Sequence, residues 1–220
     1  MISLTDISLY SILLPSGMVF FSWKIKDTPL TIISVLILFT LLIEVFSEFY
    51  ISDLYQPNHR KNNMFLYHIF TFCEGILLTL YFRTFFQQKW IRNMLILLLT
   101  LFSLLVLLNI KLWEPLDHYP SIPRMVECIL MMILSIIFFM NVFQQSTVTN
   151  LIEYPHFWLV SGLLLYFAGT FFMNLVGQIV LDRKKLGFDV YDIHSFLNIF
   201  LNIIYTIALW MSSRRLISAQ

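Results

Sequence analysis

The apolar positions of this chain fall into seven long runs, each near the ~20 residues that carry a helix across a bilayer. The first runs from about Leu4 to Ser22, and Pro15 and Gly17 are expected to bend it. The second runs from Leu30 to Ile51, the third from Asn63 to Phe82 and the fourth from Ile91 to Ile110. The fourth is almost featureless, as a peripheral helix would be. The fifth runs from Ile122 to Phe143, the sixth from His156 to Leu181 and the seventh from Asp192 to Ser213. Pro155 is well placed to open the sixth helix. Trp23, Trp90, Trp113, Trp158 and Trp210 all fall near the ends of these runs, where an interfacial aromatic belt would sit.

Polar residues interrupt the runs at helical spacing. His194, Asn198, Asn202 and Tyr205 are four, four and three apart, so they form one stripe of the seventh helix. Tyr67, Thr71 and Glu74 make a second stripe on the third span, with His68 beside it. Tyr166, Thr170, Asn174 and Gln178 make a slowly drifting one on the sixth. Glu44 and Glu48 lie one turn apart on the second span, and Glu127 follows Arg124 by three residues on the fifth. Hydrocarbon cannot satisfy such groups, so they must face protein or water. Glu74 lies about 16 Å into its span at roughly 1.5 Å per residue. A lone carboxylate there costs about 2.5–3.5 kcal/mol on the insertion scale. His68, His194, Asn198 and Asn202 are its expected partners.

Composition agrees with lipid as the solvent. The chain has 220 residues, 59% hydrophobic and 12% charged, against about 25% charged in soluble domains. The formal net charge of +1 gives no reason to expect a nucleic-acid partner. The two cysteines, Cys73 and Cys128, both lie in apolar runs and suggest neither a disulfide framework nor a thiolate metal site. The first run lacks the basic start and small-residue cleavage site of a signal peptide, so it is expected to be kept. Loops are short, so residues 1–220 read as a single all-α domain, a polytopic seven-transmembrane helix bundle.

Seven crossings put the starts of spans one, three, five and seven on one side, here called the N-side. Its flank and half-membrane hold Asp6, Glu44, Glu48, Asp53, Glu74, Glu114, Asp117, Glu127, Asp182, Asp189 and Asp192, whereas the other side has Asp27 and Glu153. Lysine and arginine divide evenly between the sides. Arg124 lies within a span and counts less, which tips the positive-inside balance toward an outside N-terminus and a cytoplasmic C-terminus.

These stripes predict a polar pocket open to the N-side, lined by Glu44, Glu48, Tyr67, His68, Glu74, Glu127, Asn174, Gln178, His194, Asn198, Asn202 and Tyr205. For any single Asn, Ser or Thr the plainer reading is a hydrogen bond holding two helices together. Intramembrane ionisable groups point instead to function. A retinal Schiff base is excluded, because the seventh span holds no lysine. No cofactor is expected. Zinc is the alternative, held by His68, His194 and Glu74 with one position open to water. Membrane zinc hydrolases of the ceramidase and adiponectin-receptor type carry paired histidines where this chain has His194 and Asn198, and their upstream Ser-x-x-x-His is absent. Three readings follow: a sensory or accessory membrane protein binding a small or amphipathic ligand, a metal-dependent intramembrane lipid hydrolase, and a small transporter. The first implies no catalysis.

The run from Asn63 to Glu74, with the run from His194 to Trp210, resembles short seven-helix membrane proteins of bacteria. Members of that group are often encoded near sensor histidine kinases. The resemblance is one of pattern and carries no catalytic motif. It implies a sensory or accessory role in a bacterial inner membrane, with the bilayer as one partner and a membrane protein such as a sensor kinase as another.

Overall fold

A computed structural model describes residues 3–21, 27–52, 63–144, 150–181 and 190–218. They form the helices α1 (Leu4–Ser11), α2 (Leu13–Phe21), α3 (Thr28–Ser52), α4 (Met64–Arg83), α5 (Lys89–Leu112), α6 (Ser121–Gln144), α7 (Pro155–Leu181) and α8 (Val190–Ser218). Among the described residues there is no strand. With α1 and α2 taken as one crossing, seven segments are long and apolar enough to span a membrane. The all-α, seven-span class expected from the apolar runs is the observed one, because only a helix satisfies its own backbone inside hydrocarbon.

The first span breaks at Ile12, upstream of the expected bend at Pro15 and Gly17. Pro15 is the third residue of α2, in a first turn whose N–H groups need no helical partner. The Ser16 hydroxyl donates to the Ile12 carbonyl at 2.8 Å and covers the break. A capping box opens α1: the Asp6 N–H donates to Ser3 Oγ, and the Ser3 N–H donates back to the Asp6 carboxylate.

The helices group into two compact units, residues 1–31 with 128–220, and residues 32–127. In the first unit, α7 and α8 pack antiparallel through glycines. A Cβ at Gly162 would lie 2.7 Å from Ile204 Cγ2, and one at Gly169 would lie 2.6 Å from Leu197 Cδ1. The two glycines and the two contacted residues are each seven apart, so one seam recurs every two turns. Small residues let membrane helices approach closely, where lipid gives no hydrophobic drive to associate. Near the end of α8, the Arg214 guanidinium lies 4.0 Å from the centre of the Trp210 ring, an arrangement suited to the interface.

In the second unit, Phe39 of α3 stacks on Phe70 of α4 with centroids 6.4 Å apart. Phe102 of α5 fits against Gly75 of α4. Leu95, Phe102, Val106 and Asn109 form the buried face of α5, while Leu97, Leu101, Leu104 and Leu107 are exposed. That broad apolar exposure suits a helix with one side in lipid.

Candidate functional site

The Glu114 carboxylate, in the loop before α6, accepts from Asn109 Nδ2 at 2.8 Å, from the Ser121 hydroxyl, and from the Ile122 N–H at 3.2 Å. An acidic group at a helix start meets unpaired N–H groups and the positive end of the helix dipole. Glu114 thereby fixes where α6 begins, with Arg124 in its first turns.

Arg124 is the centre of a buried ionic triad. Its Nη1 donates to the Glu127 carboxylate at 2.7 Å and to the Glu74 carboxylate on α4. Arg124, Glu74 and Glu127 are 4%, 3% and 0% exposed. The i, i+3 spacing puts Arg124 and Glu127 on one face of α6, and Glu74 meets that face. The guanidinium carbon lies 6.0 Å from the centre of the Phe70 ring. Glu127 Oε1 is buried and has no hydrogen-bond partner among the described residues. Three ionisable groups in one apolar setting are costly unless paired, and the guanidinium is what holds both carboxylates there.

Glu74 therefore meets Arg124, where the sequence pattern suggests Asn198 or Asn202. Those two asparagines are engaged in the other unit. Asn198 Nδ2 donates to the Ser8 hydroxyl at 2.9 Å, and Asn202 Nδ2 donates to the Ser11 hydroxyl at 2.7 Å. Ser11 in turn donates to the Ser8 carbonyl at 2.6 Å. The result is a polar zipper between α1 and α8. His194, on the same stripe, is exposed, with its ring 6.2 Å from that of Tyr166. Tyr205 is buried. Asn174 is half-buried on α7, and the Gln178 side chain lies outside the described residues. Asp53, Asp182 and Asp189 also lie outside them.

The remaining candidates belong to the second unit. His68 is buried, its Nε2 lies 2.9 Å from the His118 carbonyl, and its Nδ1 has no partner among the described residues. A carbonyl only accepts, so Nε2 is the donor in this contact. Tyr67 is exposed and lies edge-on to Tyr119 at 5.7 Å. Glu44 is half-buried with Oε2 buried and unpartnered, and Glu48 is exposed. Among the described residues no three His, Cys, Asp or Glu side chains gather as a metal site.

Arg124 and His156 are among the buried polar partners that lie outside the predicted set. Arg124 was signalled only by the arginine-to-glutamate spacing inside an apolar run. His156, 5% exposed at the start of α7, places Nε2 3.0 Å from the Asp27 carboxylate before α3, and no spacing in the sequence links the two. Seven apolar spans make this an integral, multi-pass membrane protein. No family model matches the chain, no curated protein is similar to it, and no solved structure matches it.

Proposed function

We propose that this is a non-enzymatic sensory or accessory protein of a bacterial inner membrane, with the Glu74–Arg124–Glu127 triad at its working centre. The observation that carries the reading is the burial of three ionisable side chains within membrane spans, a placement too costly to keep for packing alone. Paired charges of this kind have two arrangements, joined and parted, and a ligand that favours one would shift α4 against α6. The ligand would be small or amphipathic and would reach the centre from the side on which α4 and α6 begin. With short loops, output would pass to a membrane partner such as a sensor kinase. The N-terminus would lie outside and the C-terminus in the cytoplasm. The test is thermal stability in nanodiscs against a panel of fatty acids, lysolipids and small organic ions. At least one class should raise the melting temperature of the wild type and leave Glu74→Gln unmoved. Equal responses in both proteins, or none in either, would overturn the reading.

A further inference from the structure

We propose that the Glu74–Arg124–Glu127 triad is a proton-binding site, holding one exchangeable proton between its two carboxyl groups. This rests on the triad being the working centre and names the ligand it takes.

The argument starts from charge. Two carboxylates share one guanidinium, so the fully ionised triad has one negative charge in excess. All three side chains are withdrawn from water. An uncompensated charge in a medium of low polarisability is far more costly than a neutral hydrogen-bonded group. Among the described residues, the charged groups acting on Glu127 are Arg124 of its own helix and Glu74 of α4. His68 points Nε2 at the His118 carbonyl, Glu114 is taken up by Asn109, Ser121 and Ile122, and Glu44 has a buried oxygen with no partner of its own.

The geometry also selects the ligand. Glu127 Oε1 is a buried atom of the triad with no hydrogen-bond partner among the described residues, and Glu127 is 0% exposed. A metal ion needs several donors around it, and here two carboxylates already face a guanidinium. A proton needs no cavity and no further donors. It binds one carboxyl oxygen from water, removes the excess charge, and leaves the second carboxylate paired with Arg124. Because the two acids interact through one guanidinium, the proton belongs to the pair and not to either residue.

The test is isotope-edited infrared spectroscopy of the full chain in nanodiscs, with the glutamates carbon-13 labelled. At neutral pH the wild type should show a protonated-carboxyl stretch that shifts in heavy water. In a Glu44→Gln background, which removes the other carboxyl with a buried, unpartnered oxygen, Glu127→Gln should abolish it, and so should Glu74→Gln, because either change leaves one carboxylate matched to one guanidinium. Glu44→Gln should retain it. A wild type without the band at neutral pH overturns the proposal, as does a band that survives both triad variants or vanishes with Glu44→Gln. If a triad variant fails to fold, the wild-type spectrum alone decides against the proposal when the band is absent. A protein that keeps the band but binds no panel ligand would lose the sensory reading and keep this one.

Discussion

Arg124 on α6 donates to Glu74 on α4, fifty residues earlier in the chain. The contact joins two spans at a point where neither residue reaches water. It explains how a carboxylate near the middle of a span is tolerated. It also turns a local arginine–glutamate spacing on one helix into a link between two.

The α1–α8 zipper should behave as helix glue. Asn202→Ala should lower stability by about 0.6 kcal/mol and at most about 1.7 kcal/mol, the range measured for interhelical hydrogen bonds in a membrane. Ser11→Ala combined with Asn202→Ala should cost little more than either alone, since both remove one bond. Reversible unfolding in mixed micelles would check this, and additive losses would contradict it.

The glycine seam makes a packing prediction. Gly162→Ala should destabilise by about 1–3 kcal/mol through overpacking against Ile204. Ile204→Ala in the same protein should recover part of the loss by making room. If the double variant is worse than both single ones by their full sum, the seam is not where this account puts it.

Much of the fold is legible in the sequence because lipid imposes a simple rule. A span needs about 20 apolar residues and a closed set of backbone hydrogen bonds, so the runs beginning near Leu30, Ile91 and Ile122 announce α3, α5 and α6. The break at Ile12 is less legible. Proline limits the backbone before it, and here the Ser16 hydroxyl adds a second hydrogen bond to the Ile12 carbonyl, which already accepts from the Ser16 N–H. Partners are the hardest to read. A stripe such as His194 to Tyr205 shows which side of a helix is polar, but not which helix it meets. Asn198 and Asn202 turn to serines of α1, and Glu74 to an arginine whose spacing in the sequence points only to Glu127 of its own helix. The link from His156 to Asp27 leaves no periodic trace at all.

Glu114 is expected to act as a remote cap. Glu114→Ala should cost about 0.5–2 kcal/mol, the range for losing a side-chain cap, and should speed hydrogen exchange at the Ile122 amide. Unchanged exchange there would show that α6 starts without it.

The loop before α6 carries a pH prediction. The His118 side chain donates to Asp117 at 3.0 Å and, with a backbone hydrogen bond, holds its carboxyl below the ordinary value of 3.8. A lowered folded-state value means that this contribution is present above the ordinary value and is lost as pH falls through the lowered one. Carbon-13 titration should place the Asp117 midpoint below 3.8, and His118→Ala should move it upward. A midpoint at or above 3.8, unmoved by that substitution, would contradict the contact.

The central claim is that Glu74, Arg124 and Glu127 form one buried ionic unit, and a double-mutant cycle in bilayer discs tests it most directly. Arg124→Gln leaves two buried carboxyl groups without their cation and should cost about 3–5 kcal/mol. Adding Glu74→Gln removes one of those carboxyl groups and should recover a substantial part of the loss, so the two changes should be strongly non-additive. Losses that simply add would show that Glu74 and Arg124 do not share a centre, and the account built on them would fall.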